Sequence, residues 1–150
     1  KLVLKGGIKI PPFFIMYLKK IITSDIFKIS KDEIFDFAKN YDPMFFHMDE
    51  SKAEDSIFTE LVSSGLHTIC LMLQKMNEFS DWKIATGLEH TVKYLKPVKP
   101  DVNYQVTGIV NYEKLWKNPK YTHLKMENVL KENGRDNNLV ILNTSFLIYS

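Results

Sequence analysis

Two residues in the segment YDPMFFHMDE carry side chains suited to moving protons: Asp42 and His47, five positions apart. An imidazole titrates near neutrality, and a carboxylate beside it stays charged and orients it. Such a pair can share one water molecule and move protons to and from it. The same spacing also fits an Asp-Pro turn followed by a packed histidine between Phe46 and Met48. A second feature is Ser63-Ser64-Gly65, placed just ahead of an apolar run. The first turn of a helix has unpaired N–H groups and a partial positive charge, which suits a developing oxyanion. Gly65 would let a carbonyl come close to the backbone. Capping of the helix by Ser63 or Ser64 is the plainer reading of the same residues.

The remaining chemistry-bearing residues form no pattern of their own. His67 lies one turn into that helix, as a packed side chain or a group behind the site. His90 and His123 fall on strand patterns, far apart and without ligand spacing, and no zinc motif, phosphate loop or nucleophile elbow occurs. The single cysteine, Cys70, excludes an intrachain disulfide and reads as core packing within Leu66–Met76.

The elements that must position Asp42 and His47 are legible around them. Ser30 and Glu33 form a capping box, and Ile34, Phe37, Ala38 and Tyr41 recur at helical spacing behind it. Pro43 ends that helix, because the residue before a proline is pushed out of helical geometry. Asp42 to Met48 then reads as irregular, with a short helix over Glu50–Asp55. From Ser63-Ser64 onward, Leu66, Ile69, Cys70, Leu73 and Met76 make an apolar stripe with Met72 beside it. That stripe is wide enough for a helix wrapped by a sheet. Asp25–Ile29 is a short strand candidate; Leu88–Leu95, Tyr104–Val110, Tyr121–Leu130 and Leu139–Tyr149 alternate as strands. Asn133-Gly134 marks a turn between the last two. Helices early and consecutive strands late predict an α+β fold with an antiparallel sheet.

Composition bounds the function. The 150 residues suffice for one domain with its own core, and no repeat or low-complexity linker divides them. At 45% hydrophobic and 25% charged, with ten Phe and seven Tyr, the chain is an ordinary globular one rich in strand formers. A net charge of +2 is too small to imply nucleic acid. Lys93, Lys96 and Lys99 would either attract an anionic ligand or form the solvated side of a strand and its loop. The apolar stretch Ile8 to Ile22 is interrupted by Pro11, Pro12, Lys19 and Lys20. It falls short of the about 20 apolar residues that a membrane span needs. With no signal peptide pattern and a lone cysteine, the cytoplasm is the default expectation.

The order of these motifs resembles the MaoC-like dehydratases, which include the (R)-specific enoyl-CoA hydratases. The resemblance runs through Phe37-Ala38, the Asp42–His47 segment, Asp49-Glu50, Ala53 and Ser63-Ser64-Gly65. It continues in Lys93-Tyr94-Leu95-Lys96-Pro97-Val98-Lys99-Pro100. It covers residues 25–150 as one domain, most densely 30–68, and leaves 1–24 as an N-terminal segment without an assigned role. It implies a hot-dog fold, an antiparallel sheet wrapped around a long central helix, usually as a homodimer. It also implies reversible addition of water to the double bond of a trans-2-enoyl thioester. By position, Asp42 and His47 would activate the water and deliver its proton. The Gly65 amide would hold the thioester oxygen, and Ser64 would help position the pair. An acyl-CoA or another acyl thioester would be the substrate, with no metal or redox cofactor. Two departures stand out: Phe45 where the family has proline, and Asp101-Val102 where it has Gly-Asp. Two other readings are a hot-dog thioesterase and a non-catalytic acyl-CoA-binding or dimerisation domain. Retention of both Asp42 and His47 speaks against the first; Phe45 and the N-terminal segment keep the second open.

Overall fold

The computed structural model describes residues 20–78 and 80–150, with Tyr112 described by its backbone alone. Most of the expected N-terminal segment 1–24 therefore lies outside the described residues. The described part begins with β1 (Ile21–Thr23) and α1 (Lys31–Tyr41), followed by two single-turn helices, α2 (Phe45–Met48) and α3 (Glu50–Ala53). The long helix α4 (Gly65–Glu78) comes next, then β2 (Ile84–Tyr94), β3 (Tyr104–Leu115), β4 (Tyr121–Glu132) and β5 (Asn138–Tyr149). The strands form one sheet in the order β1-β3-β4-β5-β2, antiparallel at every pairing. Its concave face packs on α4. This is the hot-dog arrangement.

Period-two alternation builds that face. Along β4, Thr122, Leu124, Met126, Asn128 and Leu130 are buried in turn, and on β5 Val140, Leu142, Thr144, Phe146 and Ile148 do the same. Against them α4 presents Thr68, Met72 and Met76, spaced at one helical turn and all buried. Truncating a side chain sealed as fully as Met72, which is 1% exposed, costs about 2–5 kcal/mol. The expected stripe is thereby corrected. Leu66 and Cys70 face outward, because the helix is apolar on most sides and the sheet chooses the Thr68–Met72–Met76 side. Gly108 on β3 permits the close approach, since a Cβ there would collide with the end methyls of Met76 and Met126.

Two further expectations are revised. The first strand is Ile21–Thr23, upstream of the Asp25–Ile29 candidate and of a domain boundary at residue 25. The ladder breaks at Ser24, whose Oγ accepts the Val106 N–H at 3.0 Å, and only Phe27 makes a further bridge, to Tyr104. The segment from Asp42 to Met48 is also less irregular than its proline suggests. Met44 is extended, and the chain then closes the turn Phe45–Met48, with the His47 N–H donating to the Met44 carbonyl at 2.9 Å.

Candidate active site

α1 delivers Asp42. Its capping box forms as expected: Ser30 Oγ accepts the Glu33 N–H at 3.2 Å, and the Glu33 carboxylate accepts the Ser30 N–H at 2.7 Å. The Ser30 N–H, and then the Ser30 hydroxyl that also donates to Glu33 Oε2 at 2.7 Å, hold the Glu33 carboxyl below its usual range. At the other end Asp42 is the C-cap, its N–H bonded to the Ala38 carbonyl at 2.9 Å, so the side chain leaves the helix end pointing at the start of α4. There Ser64 Oγ, 1% exposed, donates to Asp42 Oδ2 at 2.6 Å.

α2 delivers His47, which is buried, with the edge of Phe46 packed on its ring. Its Nδ1 stands 2.7 Å from the Val62 carbonyl. A carbonyl only accepts, so Nδ1 carries a hydrogen, and in the neutral ring Nε2 keeps its lone pair. That Nε2 faces Asp42 Oδ2 at 3.6 Å. Two acceptors at this separation repel unless a proton lies between them, and the two hydrogens of one water satisfy both. Phe45, at the family's proline position, is half exposed and packs edge-on against Phe46. The turn that it opens still brings His47 to Asp42.

Gly65 begins α4, and no described acceptor takes its N–H. A Cβ at this position would fall 2.7 Å from Tyr94 Cζ and 2.9 Å from its hydroxyl, so the Tyr94 ring lies over the bare backbone here and any side chain would have to displace it. Tyr94 was not singled out in the sequence as a site residue. No local signal marks it, because only the passage of β2 over the start of α4 brings it there. Burial and then the Asp42 charge push its hydroxyl above the ordinary phenol range. His47, Gly65 and Tyr94 line a cavity of about 360 Å3 whose walls include Phe46, Phe58 and Val98. Lys96 stands in the same lining, while Lys99 is paired with Glu60.

The other histidines lie elsewhere. His67 stacks on Phe37 at 4.7 Å and meets Ser63 Oγ at 3.1 Å; burial lowers its pKa, with Glu33 opposing. His123 contacts Ser145 Oγ at 2.6 Å, and His90 lines a different cavity. Among the described residues no cluster of three or more His, Cys, Asp or Glu could hold a metal ion, and no helix is long and apolar enough to cross a membrane.

The family model described as MaoC like domain matches residues 18–131. This chain belongs to the MaoC-like family. Uncharacterized protein YdeM of Bacillus subtilis is 35% identical over 106 residues, which cover 69% of this chain and 72% of that protein. The MaoC-like dehydratase of Rhodospirillum rubrum shares the fold with a TM-score of 0.78 at 20% identity, over 87% of this chain and 91% of that one. R-hydratase PhaJ1 of Pseudomonas aeruginosa does so at 0.71 and 19% identity, over 88% and 81%. One departure of this MaoC-like chain from the family pattern has a backbone counterpart. Asp101, where the family has glycine, sits at φ +62°, in the left-handed region that glycine enters freely and aspartate tolerates.

Proposed function

We propose that this protein is a hydro-lyase that adds water reversibly across the double bond of a trans-2-enoyl thioester. The observation that carries the reading is the 3.6 Å approach of His47 Nε2 to Asp42 Oδ2 beside a helix start with a free N–H at Gly65. Water held by both acceptors lies with its oxygen exposed to the cavity, aimed at C3 of the bound enoyl group. One proton passes from the water to the pair as the C3–O bond forms. The thioester carbonyl takes up the electron pair as an enolate, stabilised by the Gly65 N–H and the positive end of α4. Collapse of the enolate takes the proton back at C2, and the 3-hydroxyacyl thioester leaves.

The other residues fit this division of labour. Ser64 fixes the carboxylate rotamer through a charge-assisted bond. The Val62 carbonyl fixes the histidine tautomer. Phe46, Phe58 and Val98 exclude bulk water from the reacting carbons, and Lys96 offers a cation for the phosphates of a coenzyme A thioester. Tyr94 must swing aside for the thioester carbonyl to reach Gly65, and its half-exposed ring on an edge strand has room to do so.

The protein acts as a homodimer in this reading. β2 is an edge strand of 11 residues, nearly all of them solvent-facing, and it presents Ile84, Leu88 and Tyr94. An unpaired edge of this length is a template for a second copy.

The test is incubation with crotonyl-CoA and longer trans-2-enoyl-CoAs, following loss of the conjugated enoyl absorbance together with release of free thiol. Hydration without thiol release is the expected result. Thiol release would instead identify a thioesterase, and acyl-CoA binding without either reaction a non-catalytic domain.

A further inference from the structure

At its end away from Gly65, the sheet carries a tip that is apolar and basic at once. Leu115, Thr122, Ile148 and Ile84 pair in one rung across β3, β4, β5 and β2. Tyr94, over Gly65, stands at the other end of β2 from that rung, about 33 Å of strand away. The β3–β4 hairpin projects beyond the rung. Its Trp116 N–H donates to the Tyr121 carbonyl at 2.9 Å. Asn118 accepts the Lys120 N–H on Oδ1 and the Tyr121 N–H on its carbonyl, each at 3.1 Å. With Pro119 in the loop, these bonds preform the turn.

Both faces of the tip carry apolar side chains that the fold leaves uncovered. Leu115 lies opposite Thr122, on the concave side, yet it is 68% exposed. Trp116 packs edge-on against His123, whose neighbours Thr122 and Leu124 face inward, so its ring lies on the convex side. Trp116 is exposed as well, and so is Tyr149 on the adjoining strand β5. Lys114, Lys117 and Lys120 surround these residues, all three exposed. Among the described residues none of the three forms an ion pair, and Glu113 is the single carboxylate in the sequence from 111 to 125.

A second stretch of the same chemistry arrives at this end. β1 runs antiparallel to β3, and the Lys20 carbonyl accepts the Val110 N–H at 2.9 Å, so the chain enters the sheet from the hairpin's side. The sequence leading to that point, Lys1 to Lys20, holds five lysines and no carboxylate, with Phe13, Phe14 and Tyr17 among its apolar residues.

A partner for this tip must offer negative charge and, just behind it, hydrocarbon. Bases of a nucleic acid supply the charge, but Trp116 and Tyr121 already hold ring partners, and a base gives Leu115 nothing to be buried in. A folded acidic protein would draw its interface from roughly 20–30 residues, more than a two-stranded tip presents. An anionic lipid surface meets both demands.

We propose that the β3–β4 tip docks on an anionic lipid bilayer, with Lys114, Lys117 and Lys120 on the headgroup phosphates and Leu115 at the acyl boundary. Trp116 sits between them, at the depth where tryptophan accumulates in membranes. The bilayer lies at the far end of the sheet from the cavity at Gly65, which stays open. The proposal does not rest on the reaction assigned to Asp42 and His47.

The test is cosedimentation of the full chain with extruded phosphatidylcholine vesicles, with and without phosphatidylglycerol. Binding should need the anionic lipid and weaken in high salt, as the lysine contribution is screened. A lysine near such a surface is worth about fivefold in partitioning, so replacing Lys114, Lys117 and Lys120 together by Gln should lower it about 100-fold. Leu115→Ser should lower it roughly tenfold. The chain has two tryptophans, so in a Trp82→Phe background the emission comes from Trp116 alone, and it should shift to the blue with anionic vesicles only. No binding to anionic vesicles, equal binding to both kinds, or binding that survives the lysine or Leu115 variants would overturn the proposal. So would a single-stranded oligonucleotide that shifts the Trp116 emission while anionic vesicles do not.

Discussion

Ser64 and Asp42, 22 residues apart in sequence, are joined by a 2.6 Å hydrogen bond in which the serine hydroxyl donates to the same carboxylate oxygen that faces His47. Asp42 closes one helix and Ser64 precedes another, so this bond ties two otherwise separate elements beside His47. Ser64→Ala frees the carboxylate to rotate. A bond to a charged group is worth about 1.5–3 kcal/mol, so kcat for enoyl-CoA hydration should fall about 10- to 100-fold. KM should change little and the circular dichroism spectrum should be unchanged. Full activity in this variant would remove Ser64 from the site.

The proposed acid–base pair is tested by Asp42→Asn and His47→Ala. Each should cut hydration by orders of magnitude, since each removes an acceptor for the water proton. The double variant should be hardly slower than either single one, because the two residues serve one step. Steady-state rates on crotonyl-CoA for all three variants decide the matter.

Gly65→Ala separates packing from catalysis. The new methyl would stand 2.7 Å from Tyr94 Cζ, but it meets the far end of a half-exposed side chain that can swing outward. The melting temperature should move by only a few degrees, corresponding to about 1 kcal/mol. Hydration should fall at least tenfold, because the methyl occupies the approach to the Gly65 N–H. Combining Gly65→Ala with Tyr94→Ala should restore the melting temperature and leave the rate low.

Tyr104 makes stability depend on alkaline pH. It is 1% exposed, its hydroxyl accepts the Lys99 N–H at 2.8 Å and donates to the Lys99 carbonyl at 2.9 Å, and burial pushes its pKa up to about 12. The unfolded chain ionises this phenol at its ordinary value near 10, before the folded protein does. Its contribution is therefore complete below pH 10 and is lost as pH rises from 10 toward 12. Urea midpoints measured across that window should fall more steeply for the native chain than for Tyr104→Phe.

His67 acts in the opposite direction. Burial lowers its folded pKa below the ordinary 6.5, so the unfolded chain binds the proton first. Stability should be intact above pH 6.5 and decline as pH falls below it. His67→Phe keeps a ring to stack on Phe37 and should flatten that acid limb, as followed by denaturant midpoints between pH 7 and 5.

How much of this was legible in the sequence differs from residue to residue. The Ser30–Glu33 box and the stop at Pro43 are local chemistry, and α1 follows from them. The four long strands announce themselves by alternation, and the order of motifs carries the fold. The buried side of α4 was not legible: Leu66, Ile69, Cys70, Leu71, Met72, Leu73 and Met76 clothe most of its circumference, so period alone cannot say which side the sheet takes. The spacing of Asp42 and His47 could not give their separation, because that rests on Ser64 and on the Val62 carbonyl, contacts made across the fold. Tyr94 sits in a strand where its role does not follow from its neighbours. Its importance arises from what lies opposite in space, a glycine at the helix start.

The segment from Val62 to Gly65 shows what such tethering does to the molecule as a mechanical object. Val62 holds the histidine ring, Ser63 donates its N–H to Val98 at 2.8 Å, Ser64 holds the carboxylate, and Gly65 lies against β2 through Tyr94. Four consecutive residues are thus the hub to which every part of the site is fastened. A shift of the sheet or of α1 drags this hub along as a unit, so the distance between Asp42 and His47 is insulated from drift in the surrounding scaffold. The same feature makes the hub fragile: an insertion of one residue within it would detach His47, Asp42 and the Gly65 amide from one another in a single event.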